Sequence, residues 1–256
     1  MSRNNSFGVN ESVVIGRDKL YPYRSLMGMI NSAEWIVFYD DFNRDVATNV
    51  PSGWDAAIID IGATLASFET SAAVNANGVV RITSDAASEG VAIYLPKQVY
   101  LSGKKWFMEV KVRTAAATDS EIQFGLTDRT AVVNPEDLYT TVAASYASFG
   151  VFDASATPVL TYDKANAGPV TNTPAGSSFA MANDTYVTWG LFYNGSSAAA
   201  TTGELIAYVN GSEATRAGTR AQIPDNVLLS PFIGARGGDG AIGTIDFDYV
   251  RFAHQR

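Results

Sequence analysis

The sequence predicts an all-β protein, built as a sandwich or barrel of short strands. Three observations lead to this prediction. Short segments rich in β-branched and aromatic residues recur along most of the chain. Asn-Gly dipeptides, which favour tight hairpin turns, stand at 77–78, 194–195 and 210–211. The chain has 256 residues, of which 46% are hydrophobic and 11% aromatic, enough material for a large core.

Residues 1–34 differ from the rest and are predicted to form an extended arm. No sustained helical or alternating period covers them, and Pro22 argues against one long helix. Two interpretations stay open: the arm wraps back on its own domain, or it docks on a partner through residue types enriched at interfaces. The candidate interface residues are Tyr21, Tyr23, Leu26, Met27, Met29 and Ile30.

From Trp35 onward the strand pattern dominates, so a single domain is predicted over residues 35–256. The pattern is clear at 106–113, where residues at even positions are apolar and residues at odd positions are mostly charged. One face of this strand is therefore predicted to pack in a core and the other to meet mostly solvent. The segments predicted to contain strands are 35–42, 64–70, 75–83, 90–96, 104–114, 121–128, 146–153, 158–163, 184–195, 204–214, 227–235 and 243–252.

One short helix interrupts the predicted strands. Asn134 is a suitable N-cap, Pro135 suits the first helical position, and acidic residues follow in the first turn. Segments 167–178 and 195–203 are rich in Gly, Ala, Ser, Thr and Pro, so we expect flexible surface loops there.

Composition excludes several functional classes. The net charge of −8 with few clustered basic residues argues against nucleic-acid binding, which depends on Lys and Arg. The chain has no cysteine, which rules out disulfides and thiolate sites. The one histidine, His254, is expected to be a solvated tail residue, so neither a catalytic triad nor a multi-histidine metal site is expected.

No membrane association is expected either. The N-terminal residues lack the apolar region of a secretion signal, and no apolar run approaches the ~18 residues that a membrane span needs. We therefore expect synthesis in a cytoplasm without a membrane partner.

Two aspartates near the C-terminus raise the question of catalysis. In a strand Asp246 and Asp248 would share one face, roughly 7 Å apart, beside Thr244 and Val250. Three interpretations are open: a glycosidase-like pair, a hard-cation site shared with Asp40 or Asp41, or polar contacts with solvent and nearby loops. The third is favoured, because nothing in the sequence gives the two carboxyls different environments.

Asp40 and Asp41 alternate across the first strand, so only one can face inward. The aspartate that faces inward is predicted to tie the strand to the following turn.

Trp54 follows Pro51-Ser52-Gly53 and is the most loop-like tryptophan, which makes it a candidate for glycan stacking or an interface. The other tryptophans are predicted in the core. The glycine-rich segment 234–243 matches no phosphate-binding motif and is predicted to connect the last two strands.

Several landmarks then line up in order: "FYDDF" at 38–42, "FGLTD" at 124–128 and "IDFDYVRF" at 245–252. This order resembles the concanavalin-A-like lectin/glucanase jelly rolls found among virion proteins of tailed bacteriophages. The resemblance covers residues 35–252 and implies an antiparallel jelly-roll β-sandwich, with the first and last strands as neighbours.

The resemblance also implies a function. It suggests a non-enzymatic capsid decoration (cement) protein on the virion exterior, bound to the major capsid protein and to neighbouring copies as a homo-oligomer. The alternative is a carbohydrate-binding module on a phage head or fibre that adheres to bacterial surface glycans. The enzymes of this superfamily carry an E-x-D-x-x-E strand that this chain lacks, and we expect no catalytic residue, cofactor or metal.

Overall fold

The computed structural model describes residues 35–42, 53–59, 67–69, 78–83, 90–95, 99–100, 104–128, 145–152, 155–165, 167–175, 177–195, 202–224, 227–237 and 244–255. Within these residues the chain forms strands and one turn of 3-10 helix, at Ser177–Phe179. The strands are β1 (Trp35–Asp40), β2 (Asp55–Ile59), β3 (Ser67–Glu69), β4 (Val80–Thr83), β5 (Gly90–Tyr94), β6 (Val99–Tyr100), β7 (Trp106–Thr114), β8 (Ser120–Thr127), β9 (Tyr146–Val151), β10 (Val159–Asp163), β11 (Val170–Asn172), β12 (Val187–Tyr193), β13 (Thr202–Val209), β14 (Ser212–Thr219), β15 (Leu228–Gly237) and β16 (Thr244–Gln255).

These strands form two sheets of eight. Sheet A has the order β14-β13-β12-β7-β16-β4-β3, and β1 also pairs with β16. Sheet B has the order β11-β10-β9-β8-β15-β5-β2, and β6 also pairs with β15. Every described pairing is antiparallel. The structure thus confirms the predicted all-β antiparallel sandwich.

The last strand organises sheet A. β16 pairs with β7 along 245–254 on one edge, and on the other it pairs first with β4 and then with β1. Trp35 stands opposite Gln255 and Asp40 opposite Val250. The predicted neighbourhood of the first and last strands is therefore confirmed.

One core lies between the two sheets. On β7 the predicted inward residues Trp106, Met108, Val110 and Val112 are all buried in it. Trp189 from sheet A stacks on Phe124 from sheet B, with ring centroids 6.3 Å apart. Trp106 and Trp189, two of the tryptophans predicted in the core, are both buried there. The outward side of β7 is less exposed than predicted, because Phe107 and Glu109 are buried as well.

The hairpin between β13 and β14 follows from its sequence. Asn210 and Gly211 have φ angles of +49° and +80°, the left-handed region that both central residues of a type I′ turn require. Val209 pairs with Ser212 directly across the turn. The Asn-Gly prediction is confirmed at this position.

The chain also contains strands that the sequence pattern did not predict. β2, β6 and β11 are short, and β11 lies inside segment 167–178, which was predicted to be a flexible loop. A three-residue strand is held by its ladder to β10 rather than by its own propensity, so it leaves little local signal. The predicted helix at 134 lies outside the described residues, as does the arm at 1–34. No helix in the described part of the chain is long and apolar enough to cross a membrane.

Candidate functional site

Asp246 lies in a row of charged residues across three strands. Arg81 on β4 and Arg113 on β7 are its direct cross-strand neighbours. Arg81 donates two hydrogen bonds, 2.7 Å from Nε to Oδ1 and 3.0 Å from Nη2 to Oδ2. Arg113 donates to Oδ2 through Nε at 3.2 Å and also through Nη2. The Asp246 side chain is only 2% exposed, so both guanidinium groups are needed to compensate its buried charge.

The electrostatics of Asp246 argue against acid catalysis. Burial favours the neutral carboxyl, but the hydrogen bonds and charges of Arg81 and Arg113 outweigh it and lower the pKa of Asp246. A glycosidase acid needs a raised pKa. Asp248 forms an ion pair with Lys111 instead. Both aspartates make polar contacts, as favoured, but their partners are side chains of neighbouring strands. The expected contacts with solvent and loops are wrong for Asp246, which is buried.

A β-bulge changes which residues share the face of Asp246. Phe247 pairs with Val112, but Tyr249 already pairs with Lys111, so Asp248 is an additional residue in β16. Beyond it the alternation is reversed: Val250 and Phe252 point into the core and Tyr249 points outward. The prediction that Val250 shares the face of the two aspartates is therefore wrong.

Replacing Asp246 with asparagine should lower the free energy of unfolding by about 2 kcal/mol at pH 7, because two charge-assisted interactions lose their acceptor charge. The folded pKa of Asp246 lies below its unfolded value of about 3.9. The stabilisation is thus complete above that value and is lost as the pH falls through the folded pKa. Urea unfolding of wild type and Asp246→Asn at pH 7 and pH 2 should show that their free energies of unfolding become similar in acid. An equal difference at both pH values would contradict this assignment.

The Asp40 prediction is confirmed, and the structure adds a partner. Asp40 is buried while Asp41 is exposed. Oδ1 of Asp40 accepts the Phe42 N–H at 2.8 Å, which ties β1 to the following turn. Oδ2 accepts the Trp54 indole N–H at 3.0 Å.

The side chains of Trp54 and His254 are both more buried than the sequence predicted. Trp54 is 5% exposed and packs against Phe38 and Phe42, so its ring has no open face for stacking on a glycan. His254 is not a solvated tail residue. It lies in β16 at 6% exposure, with its ring 5.6 Å from the ring of Phe252, because β16 continues to Gln255.

The remaining sequence-predicted site residues cannot be placed. Tyr21, Tyr23, Leu26, Met27, Met29 and Ile30 lie outside the described residues. Of the glycine-rich segment 234–243, residues 234–237 belong to β15 rather than to the predicted connection, and 238–243 lie outside the described residues. In the parts of the chain that are described, no group of three or more His, Asp or Glu side chains is arranged to hold a metal ion.

A pocket that the sequence did not predict lies at the edge of the sandwich. We call it the edge pocket; its volume is about 190 Å³. An engineered cavity of ~150 Å³ holds benzene, so this pocket has room for one six-membered ring. It lies where the β10–β11 connection meets the turn that follows β14. Its walls are formed by Tyr162, Asp163, Lys164, Ala167, Gly168, Val170, Ala221 and Gln222.

Hydrogen bonds fix both walls of the edge pocket. Oδ1 of Asp163 accepts the Ala167 N–H at 3.0 Å, which closes the turn after β10. Lys164 Nζ donates to the Arg220 carbonyl at 3.4 Å and thereby joins the two walls. Oε1 of Gln222 accepts the Thr219 N–H at 3.0 Å. The pocket is therefore preformed within the fold.

The chemistry of the edge pocket suits a small polar ring. Asp163 is a carboxylate acceptor and Lys164 a donor, and Gln222, whose Oε1 already accepts from Thr219, can donate from its amide nitrogen. Tyr162 lines the pocket but is only 2% exposed and belongs to the core, so its ring offers no open face for stacking. Burial raises the pKa of its hydroxyl, although a hydrogen bond with Asn172 opposes this. Burial and the Asp163 carboxylate likewise raise the pKa of Tyr146. An apolar wall with a few fixed polar groups is typical of a small-molecule site.

Comparisons with known proteins identify the fold. No protein-family model and no curated protein matches the chain. Among solved structures, a Lotus tetragonolobus seed lectin has a TM-score of 0.57 at 10% identity, covering 86% of this chain and 99% of the lectin. Peanut lectin with a bound nonapeptide has a TM-score of 0.56 at 13% identity, covering 87% and 98%.

A third similar structure comes from work on endo-acting O-glycanases of human gut bacteria that initiate mucin breakdown. Its TM-score is 0.55 at 14% identity, over 84% of this chain and 97% of that chain. Both lectins and a glycanase thus share the architecture. At these identities the similarity establishes the fold alone, and the chain has a lectin-like jelly-roll fold.

Proposed function

We propose that this protein is a non-enzymatic carbohydrate-binding domain that holds one sugar ring in the edge pocket. The observation that carries the proposal is a preformed, ring-sized pocket lined by a carboxylate, a lysine and a glutamine amide. The lectin-like fold supports it, since sugar-binding proteins use the same architecture.

Catalysis is the weaker alternative. A glycosidase needs two carboxyl groups about 5 to 9 Å apart, one of them with a raised pKa. Asp163 is the one carboxylate in the wall of the edge pocket. Asp246, the other sequence candidate, has a lowered pKa and two arginine partners.

The predicted virion role is a separate matter. The comparisons lend no support to capsid decoration, so we rank carbohydrate binding above it. The finer proposal is that the domain sits on a phage head or fibre and adheres to bacterial surface glycans. The major capsid protein, neighbouring copies and the capsid exterior stay predictions, which the location of the protein in purified particles would test.

Binding to an array of bacterial surface glycans tests the main proposal. Asp163→Asn should weaken binding to the best glycan at least ten-fold, because a hydrogen bond to a charged acceptor contributes about 1.5–3 kcal/mol. Ala167→Phe should abolish binding by filling the pocket, since Ala167 is exposed and lines the pocket.

Asp184→Asn is the matched control. Asp184 is exposed, lies outside the pocket, and has a φ of +54°, which asparagine tolerates. Its affinity should stay within two-fold of wild type. The proposal fails if no glycan binds, or if Ala167→Phe binds as well as wild type.

A further inference from the structure

A row of apolar side chains crosses the outer side of sheet A. The apolar residues next to them in sequence belong to the core between the sheets, so alternation points the row itself away from that core. We call it the outer row. Its four members are successive cross-strand neighbours on β16, β7, β12 and β13: Ala253, Phe107, Phe192 and Ile206.

The outer row is buried in its middle and open at its ends. Phe107, Phe192 and Ile206 are 3%, 7% and 8% exposed. Val37, which continues the row on β1, is 47% exposed, and the Arg216 side chain, which continues it on β14, is 54% exposed. Neighbours within a sheet shield only the sides of a side chain, and the outer side of an antiparallel sheet usually meets solvent. Burial of these large side chains therefore requires a cover over the middle of the row.

Residues 20–30 have the composition that such a cover needs. Burying apolar surface contributes about 25 cal/mol per Å² removed from water, so the cover should carry large apolar side chains. The segments outside the described residues that adjoin these strands at this end are 101–103 and 196–201, and Leu101 is their one large apolar residue. Segment 20–30 instead contains Leu20, Tyr21, Tyr23, Leu26, Met27, Met29 and Ile30.

The arm also joins the domain beside this row. It ends two residues before Val37, which stands directly opposite Ala253. The outer row spans three inter-strand spacings, about 14 Å. Segment 20–30 reaches about 36 Å when extended, so it is long enough to cross all four strands, and residues 31–34 are left to form the turn.

We propose that residues 20–30 lie across the outer row of their own chain and cover it. The short connection, 31–34, keeps the segment close to its own row, so its effective concentration there exceeds that of the same segment in a second copy. Of the two interpretations of the arm, this is the first, in which the arm wraps back on its own domain. Its apolar residues are then not available to a capsid partner.

Cysteine labelling of the full chain tests the proposal, because the sequence contains no cysteine. Ile206→Cys places one thiol in the outer row, where it should react slowly with iodoacetamide, a neutral reagent. The added substitutions Met27→Asp and Met29→Asp should raise the labelling rate at least ten-fold, since burying unpaired carboxylates against phenyl rings is costly. The matched control adds Asn4→Asp and Asn5→Asp in the polar start of the arm, and its rate should change less than two-fold.

Leu205→Cys distinguishes uncovering from unfolding. Leu205 precedes Ile206 on β13 but is fully buried in the core. With the same two aspartates in the arm, its thiol should stay protected because the two sheets remain packed. If Ile206→Cys does not fold, Ala253→Cys probes the same row with a smaller change in side-chain volume.

Four outcomes would overturn the proposal. Fast labelling of Ile206→Cys with an unchanged arm would mean that the row has no cover. An unchanged rate with Met27→Asp and Met29→Asp would mean that another segment forms the cover. Equal acceleration of Leu205→Cys would mean that the arm supports the whole fold rather than one row. Loss of protection on dilution would mean that the cover comes from a second copy. Glycan binding plays no part in this test, so the proposal and the edge pocket can fail independently.

Discussion

Glu121→Gln should lower the free energy of unfolding by about 3 to 5 kcal/mol, because it removes one charge of a buried ion pair. Glu121 on β8 and Arg236 on β15 face each other across the ladder of sheet B, and their side chains are 5% and 3% exposed. Arg236 donates from Nη2 to Oε1 at 2.7 Å and also from Nε to Oε2. The guanidinium cannot lose its proton, so after the substitution its charge stays buried beside a neutral amide.

Neighbouring backbone makes room for this pair. A Cβ added to Gly90 on β5 would lie 2.3 Å from the Cβ of Arg236. Glycine at 90 therefore leaves the space that the arginine side chain occupies between adjacent strands. The arrangement depends on three strands at once, so loss of the pair should affect the whole sheet rather than one edge.

The chain offers a matched control for burial. Glu213 and Arg216 form the same two-point interaction, with both hydrogen bonds at 2.7 Å, but their side chains are 39% and 54% exposed. The Arg216 hydrogen bond is the main cause of the lowered pKa of Glu213. Glu213→Gln should nevertheless cost less than about 1 kcal/mol, because solvent screens the pair.

Urea unfolding followed by circular dichroism measures both effects. A double variant, Glu121→Leu/Arg236→Met, should recover most of the loss, since replacing both buried charges with apolar groups is often neutral or stabilising. Equal losses in Glu121→Gln and Glu213→Gln would show that burial does not determine the effect. Failure of the double variant to recover stability would show that the charges themselves are needed.

The fold could be predicted from local pattern because most strands carry their own signal, with β2, β6 and β11 as exceptions. All of the segments predicted to contain strands do contain one. The alternation at 106–113 identified the inward side of β7, and Asn210-Gly211 identified a hairpin. What local pattern could not reveal is a feature that depends on a partner strand. The bulge at Asp248 shows only in the pairing of β16 with β7. The local sequence "IDFDYV" is equally compatible with either set of alternate residues facing the core.

The candidate sites needed tertiary structure for the same reason. Asp163 and Gln222 lie 59 residues apart in the sequence, on connections that meet only because the sheets pack as they do. Trp54 looked loop-like because it follows Pro51-Ser52-Gly53, yet Asp40 binds its indole N–H from 14 residues away.

Trp189→Ala should be the other highly destabilising change, with a loss of about 3 to 5 kcal/mol. Trp189 is fully buried on β12 of sheet A, and its ring packs against two phenylalanines of sheet B. Phe124 stacks on it at an interplanar angle of 14°, and Phe149 meets it edge-on with centroids 5.9 Å apart. Removal of the indole leaves a cavity where the two sheets contact, and the packed strands around it cannot collapse to fill it.

Trp189→Phe separates packing from hydrogen bonding at this position. Among the described residues the buried Trp189 indole N–H has no hydrogen-bond partner, so phenylalanine keeps much of the ring contact and removes an unsatisfied donor. The phenylalanine variant should therefore lose only about 1 kcal/mol. Far-UV circular dichroism suits this measurement, because substitution of a tryptophan alters the fluorescence signal itself. A loss below about 1 kcal/mol for Trp189→Ala would mean that the contact between the sheets lies elsewhere, whereas equal losses in both variants would mean that a phenyl ring cannot replace the packing of the indole.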